Sequence, residues 1–376
     1  MAVRVCHLSS VRENHDLCMF RRSCVSLAEA GYEVYLVARG DSREDMGVYV
    51  TGVGEPPRSR LRRMLFFTRR IFREALEVDA AVYQIHDPEL LPFALTLKRR
   101  GKRVIFDSHE FYTELLKTKH YLPFARQTAR VYGAFERYVL RRIDAVIFPA
   151  TRDGKEVFSG IAQRTVTIGN YALKEELYSW YVPAEKPEFR LCFVGDMTPD
   201  RGIDNLIRAA NRSGARLSLV GEFHPPSYGE AVRQMPESRC VEFLGRLGRE
   251  RVREVLARSS VGMCTMPDGG QYNICDTFNM KVYDYMAMGL PVILSDSAYA
   301  RQVMERYKFG ILVNPADVEE TARAVRRLAE YPEEAARMGR EGRRAIAEEF
   351  NWDTQVEKLL ALYRDLTGGP EGRGNP

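Results

Sequence analysis

The sequence predicts an α/β protein of two parallel-sheet domains in series, and three observations lead there. At 376 residues the chain exceeds what one hydrophobic core usually organises, so two domains are expected. Short apolar runs of strand length alternate with helical patterns from end to end, as in successive βα units. The alternation is interrupted once, by the polar, aromatic and proline-bearing stretch YALKEELYSWYVPAEKPEF at 171–189, and then restarts.

Taken in order, VRVCHLSS (3–10) reads as a first strand, and 18–30 as a helix closed by Gly31, a C-terminal glycine signal. EVYLVA (33–38) and AVYQIHD (81–87) follow as strands. A helix over 89–100 leads to the strand KRVIFDSH (102–109), long helices run through 142, and DAVIFPA (144–150) and TVTIGN (165–170) complete the first half. The second half offers RLCFVG (190–195), RLSLVG (216–221), CVEFLG (240–245), VGMCTM (261–266), PVILSD (291–296) and GILVN (310–314) as strands. Its helices are expected over 203–211, 249–258, 280–288 and 317–330. A helical run over 333–366 closes the chain before a disordered tail, GGPEGRGNP.

The composition, 45% hydrophobic and 28% charged, suits a soluble enzyme. The longest apolar runs fall far short of the roughly 20 residues that span a bilayer, and the N-terminus lacks a signal-peptide core. Seven cysteines, at 6, 18, 24, 192, 240, 264 and 275, form no C-x-x-C pair and sit among apolar neighbours, which reads as reduced thiols in a cytoplasmic protein. Residues 1–170 carry 28 Lys and Arg against 20 Asp and Glu; the remainder is slightly acidic. Within the basic half, Arg58, Arg60, Arg62, Arg63, Arg69, Arg70 and Arg73 interleave with Leu61, Met64, Leu65, Phe66, Phe67, Ile71 and Phe72. That mixture suits a helix on an anionic membrane surface; it equally suits a solvated basic face whose apolar side packs inward. Nucleic acid is not expected as a partner, because these arginines mix with bulky aliphatics instead of exposed stacking aromatics.

Ligands of open α/β sheets bind beyond the carboxyl ends of strands, where helix N-termini favour anions. Three strand ends carry suitable chemistry. In LCFVGDMTPDRGIDNLIRAA (191–210), Gly195 and Gly202 shape a turn and Arg201 stands at the helix start, able to fork onto a diphosphate. In CDTFNMKVYDYMAMGLPVILSD (275–296), Asp276 and Asp284 are eight apart with Lys281 between them. Asp276 is expected in the loop before the helix, where a carboxylate can accept from sugar or ribose hydroxyls; Gly289 and Pro291 end the helix, and Met286 and Met288 read as core. In FDSHEFY (106–112), His109 follows Asp107 at a strand end, where an imidazole serves a substrate hydroxyl or simply the fold. His86 has a similar place, but Asp87-Pro88-Glu89 after it reads as a helix-opening cap, which favours a structural role. The sequence contains no G-x-G-x-x-G after the first strand, no G-x-x-x-x-G-K-[ST], no H-E-x-x-H and no D-x-D triplet, so no metal site and no cofactor are expected.

Taken together, these segments resemble the retaining glycosyltransferase family 4. QIHDPELLPFALTLKRRGKRVIFDSHEFY is similar to the HDP and HE segments of its polysaccharide-biosynthesis members. FVGDMTPDRGIDNLIRAA and MKVYDYMAMGLPVILSD resemble its two donor-domain motifs, and FGILVNPADVEETARAVRRLAE with EEFNWD resembles its close. The resemblance runs nearly end to end. It implies the GT-B fold, two Rossmann-like domains facing across a cleft. Residues 1–170 would bind the acceptor, completed by a C-terminal helix at about 352–368. Residues 171–189 would be the linker, 190–351 the nucleotide-sugar-binding domain, and 369–376 the tail.

By the same resemblance Arg201 is the diphosphate contact, beside Gly195. Asp276 meets the donor sugar and Asp284 the ribose, at the two ends of the family's E-x7-E motif. Lys281 matches the motif's lysine, and His109 the histidine that reaches the donor sugar. The implied activity is retaining, metal-independent transfer from a UDP- or GDP-sugar to a hydroxyl of a sugar, lipid-linked or small-molecule acceptor, in cell-surface polysaccharide or glycolipid synthesis at the inner face of the membrane. A nucleotide-sugar epimerase of the same fold, or a non-catalytic module docking on membranes through 58–73, are the alternatives. Three departures stand out. Gly195-Asp196 replaces the usual Gly-Arg, so Asp196 must turn away from a diphosphate or meet a hydroxyl. Both motif glutamates are aspartates, one methylene shorter, and the first loop lacks the family's glycine pair.

Overall fold

The computed structural model describes residues 2–117, 124–175, 188–267, 272 and 274–370, apart from the side chains of Leu17 and Arg60. The chain divides into two compact units, residues 1–170 with 352–376, and residues 171–351. Most of the proposed linker and tail, and much of the 265–275 loop, fall outside the described residues. Tyr171 and Ala172 pack with the core of the second unit.

The first unit is built on β1 (Arg4–Glu13), β2 (Glu33–Arg39), β3 (Arg43–Asp45), β4 (Val48–Gly52), β5 (Val82–Ile85), β6 (Arg103–Asp107) and β7 (Ala145–Phe148). After a two-residue hairpin pair, β8 (Thr151–Arg152) and β9 (Lys155–Glu156), the strand β10 (Thr165–Thr167) closes the edge. The order is β10-β7-β6-β5-β1-β2-β4-β3, with every pairing parallel except β3–β4. Every residue of β5 and β7 is buried, as in a parallel sheet covered on both faces.

The second unit carries β11 (Arg190–Val194), β12 (Arg216–Val220), β13 (Val241–Gly245), β14 (Val261–Cys264), β15 (Val292–Ser295) and β16 (Gly310–Val313). Its order β13-β12-β11-β14-β15-β16 is parallel throughout. The order reverses beside β11 and β14, where doubly wound sheets present their ligand sites.

Each strand expected from the sequence has a counterpart, but two helices differ. The segment expected as a helix over 18–30 opens as a π-helical stretch, Leu17–Cys24, with Asp16 accepting from the amides of Cys18 and Met19, and continues as Val25–Glu29. The run expected over 333–366 is two helices, Pro332–Glu348 and Asp353–Thr367. Buried Asn351 donates its Nδ2 to the carbonyls of Ile346 and Ala347, capping the first helix and ending it there. The second helix belongs to the first unit. Trp352 Nε1 donates to Ser26 Oγ at 3.0 Å, and Gln355 Oε1 accepts from the Gly169 amide at 3.0 Å.

Candidate functional site

In the second unit the end of β11 and the helix Met280–Ala287 meet at one point. Gly195 has φ 129°, a backbone that side chains rarely adopt, and a Cβ there would lie 3.5 Å from Arg201 Nη1 and from Lys281 Cε and Nζ. The strand therefore ends with no side chain between two cations. Arg201 closes a short turn, Pro199–Arg201, and donates Nη1 to the Asp196 carbonyl at 2.8 Å. Gly202, at φ 64°, then starts the helix Ile203–Ser213 where Pro267 leaves no room for a Cβ. Asp196 is exposed, and it is its carbonyl that holds Arg201.

Lys281 sits in the first turn of Met280–Ala287, and its amide is received by the Asn279 side chain that caps the helix. The side chain is only 5% exposed. Its Nζ lies 3.8 Å from the centroid of the Phe193 ring and has no hydrogen-bond partner. Burial, joined by repulsion from Arg201 and opposed by Cys264 and Asp196, pushes the ammonium down to about 8. A cation over a ring face recovers part of the desolvation cost, on the order of 2 kcal/mol, but three N–H donors stay unmet. In the same turn as Arg201, Thr198 Oγ1 is likewise buried without a partner.

Two tyrosines fix this helix. Tyr285 Oη receives the Val194 amide at 3.0 Å, and its ring lies where a side chain at Gly262 of β14 would be. Tyr283 Oη receives the Phe278 amide at 3.2 Å and touches Thr277 Oγ1, bracing the loop that carries Asp276. Asp276 stands three residues before the cap and Asp284 on the helix itself; both are half-buried. Met286 and Met288 are core.

His109 lies in the other unit, just past β6, within a buried polar network. Its Nε2 is 3.1 Å from His86 Nδ1, and His86 Nε2 is 3.0 Å from His7 Nδ1. Asp107 lies 3.2 Å from His86 and accepts from Gln84 Nε2 at 2.9 Å. Burial pushes His109 down to about 4, against the pull of Asp107. Burial would raise Asp107, but His109 and the hydrogen-bonded His86 hold its carboxyl well below the usual range. His86 is thus in direct contact with His109, which its proline-flanked sequence did not reveal. The expected helix opening is present, with Asp87 at the cap position and Pro88 following it. Asp87 makes no side-chain cap; its Oδ2 accepts instead from Ser9 Oγ and the Ser10 and Val11 amides, because those unpaired donors at the end of β1 point at it. His86, Asp107 and His109 are the one trio among the described residues close enough to share a cation, within 4.8 Å. Each of the three atoms already faces another of the set at bonding distance or nearly so, and nothing there calls for an ion.

The 58–73 segment divides its apolar residues between two sides. Phe67 and Ile71 are buried, and Phe72 stacks on Phe93 at 4.4 Å. Leu61 and Phe66, each 66% exposed, face outward with Met64, Leu65 and exposed Arg62, Arg69, Arg70 and Arg73. Arg63 is engaged by Glu89 at 3.2 Å. No helix of the described residues is long and apolar enough to cross a membrane.

Of the residues singled out in the sequence, Gly195, Arg201 and Lys281 come together in the second unit and His109 lies in the first, while Phe193, Tyr285, His7, Gln84 and Tyr363 were not singled out. Gln84 did leave a signal, since it is the one amide in the buried strand Val82–Ile85.

Residues 188–331 match the family model described as "Glycosyl transferases group 1", and residues 19–170 match "Glycosyl transferase 4-like domain". Among curated proteins, the alpha-maltose-1-phosphate synthase of Mycolicibacterium smegmatis is 28% identical over 192 residues, 47% of this chain and 48% of that protein. The GDP-mannose-dependent alpha-mannosyltransferase of Mycobacterium tuberculosis is 26% identical over 250 residues, 64% of this chain and 62% of the other. The chain spans about half the length of the curated relatives it matches first. Among solved structures, the sucrose-phosphate synthase of Thermosynechococcus elongatus superposes with a TM-score of 0.75 at 18% identity, over 97% of this chain and 99% of that one. HepE of Anabaena, solved with UDP-glucose, gives 0.71 at 16% identity, over 97% and 100%.

Proposed function

The chain belongs to the family 4 glycosyltransferases of GT-B fold, and from that premise we propose that it transfers a sugar from a nucleoside-diphosphate donor, with retention and without a metal, to a hydroxyl acceptor. The observation that carries this reading is the buried Lys281 ammonium, which has no hydrogen-bond partner and stands with Arg201 beside the bare Gly195. A buried charge without a partner is costly, and the geometry supports an anion as the missing partner. Two fixed cations at one point can neutralise a leaving diphosphate electrostatically, the role a cation has in other transferases. Asp276, in the loop before the same helix, and Asp284, midway along it, are the acceptors for donor-sugar and ribose hydroxyls, and His109 serves a hydroxyl of the sugar. UDP and GDP are the nucleotides to test first, since HepE was solved with UDP-glucose and relatives are named for GDP-mannose.

Turnover and calorimetric binding in EDTA test this. UDP or GDP should bind without a metal, and Arg201→Ala should lose about ten- to a hundredfold in turnover, the worth of one charge-assisted hydrogen bond. Undiminished turnover in that variant would refute the diphosphate role. Conversion of the donor with no acceptor present would point to an epimerase instead.

The exposed Leu61 and Phe66 among arginines support peripheral contact with an anionic membrane, which fits a lipid-linked acceptor in polysaccharide or glycolipid synthesis.

A further inference from the structure

Five buried side chains of the first unit close into a ring: Asp107, Gln84, Tyr363, His7 and His86. Asp107 lies 2.9 Å from Gln84 Nε2, and Gln84 Oε1 lies 2.7 Å from Tyr363 Oη. Tyr363 Oη is 3.2 Å from His7 Nε2, His7 Nδ1 is 3.0 Å from His86 Nε2, and His86 Nδ1 returns to Asp107 at 3.2 Å. His7, Gln84 and His86 are completely inaccessible, as is Tyr363. Water therefore cannot reach the contacts among these four to repair a mismatch, while Asp107 is 8% exposed, and a ring of this kind is most stable when each contact holds one proton.

Counting protons fixes the ring. The Asp107 carboxylate can only accept, so Gln84 turns its NH2 toward it and its oxygen toward Tyr363. The phenol, kept protonated by burial, donates to that oxygen and must accept from His7 Nε2–H. His7, kept neutral by burial, has spent its one N–H and accepts at Nδ1 from His86 Nε2–H. Four contacts are then filled, and the fifth, between His86 Nδ1 and Asp107, needs a proton of its own. Reversing the ring does not remove the need, because it leaves the 2.7 Å oxygen–oxygen contact between Tyr363 and Gln84 bare.

We propose that this fifth proton is held between His86 and Asp107, and that it fixes the tautomer of His109. With a proton on the His86 side, His109 Nε2 at 3.1 Å is an acceptor. A neutral His109 then carries its hydrogen on Nδ1 and presents a donor to substrate oxygen. His86, His7, Gln84 and Tyr363 are positioning residues, and the helix Asp353–Thr367, through Tyr363, helps set the charge of His86, more than 250 positions earlier in the sequence. The functional part rests on the reading that His109 serves a sugar hydroxyl; the tautomer itself does not.

Histidine-selective 15N labelling of the full chain, without ligand, reads the tautomer directly. The expected spectrum shows both His86 nitrogens protonated and His109 protonated at Nδ1. Tyr363→Phe keeps the ring packing but removes the oxygen–oxygen contact that bars the reversed circuit, so His7 Nδ1–H can donate to His86 Nε2 and His86 should keep only its Nδ1 proton, toward Asp107 and His109. Gln84→Met removes that contact from its other side and should do the same. With substrates, His86→Phe, which removes the proton that His109 accepts, should lose about tenfold in kcat with donor KM nearly unchanged, as expected for a lost transition-state contact. A wild-type His109 protonated at Nε2 overturns the proposal without any variant, as does a His86 that keeps both protons in Tyr363→Phe. Failure of the nucleotide-binding reading would show instead in Arg201→Ala, with these spectra untouched.

Discussion

At the scale of single residues, Lys281 links stability to function. Its folded-state proton affinity is lowered from the ordinary 10.5 to about 8, so between those values the unfolded chain binds more protons than the native one. The penalty of burying the ammonium is fully present below pH about 8 and gone above about 10.5. The ligand-free protein should therefore gain stability as pH rises through that window, by on the order of 3 kcal/mol. Nucleotide affinity should move the other way, falling above pH about 8 as the charge is lost. Denaturant melts and calorimetry across pH 7–10 read the two slopes, and parallel slopes would remove Lys281 from the anion site. Lys281→Met should stabilise the free protein by about 1–3 kcal/mol while weakening diphosphate binding, the trade expected where a buried charge is kept for a ligand. The sequence named this lysine only through a resemblance. Nothing in one-dimensional spacing shows that its ammonium lacks a partner, because that depends on Phe193 and Gly195, nearly 90 positions away.

At the scale of elements, most of the architecture was legible because strand length and apolar continuity are local properties. The edge pair β3–β4 was not. The three-residue RED strand is all charged, and just beyond the pairing Gly52 lies where a Cβ would meet the Gly40 carbonyl. The break in the closing helical run was also hidden, since Phe350, Asn351 and Trp352 continue an apolar pattern while Asn351 takes two carbonyls. Positioning of the helix Met280–Ala287 depends on a glycine that no motif marks. A Cβ at Gly262 would stand 2.3 Å from the Tyr285 ring, and that ring carries the hydroxyl that ties the helix to β11. Gly262→Ala should cost about 1–3 kcal/mol in denaturant melts and weaken nucleotide binding by displacing Lys281. Stability lost with affinity intact would show that the helix can shift without disturbing the anion site.

At the scale of the whole molecule, the uneven charge acquires a direction from topology. In the first unit the chain steps from β4 to β5, β6 and β7 in one sense across the sheet, so right-handed crossovers put the helices Thr68–Glu77, Leu91–Arg99 and Ala125–Leu140 on one face. The stack of Phe72 on Phe93 joins the first two. The outer surface of this layer carries Leu61 and Phe66 before the first helix and exposed Val131 and Tyr138 on the last, with Arg69, Arg70, Arg130, Arg137 and Arg141 around them. Apolar side chains ringed by arginines on a single face suit the interfacial region of an anionic bilayer, whose attraction is worth roughly 1 kcal/mol per basic residue. Vesicles containing anionic lipid should sediment the protein at low salt, neutral vesicles should not, and raised salt should release it. Phe66→Asp combined with Arg69→Glu and Arg70→Glu should abolish sedimentation while leaving transfer to a soluble acceptor unchanged. Sedimentation that survives this triple change would move the contact away from 58–73 and leave the basic face as solvated surface.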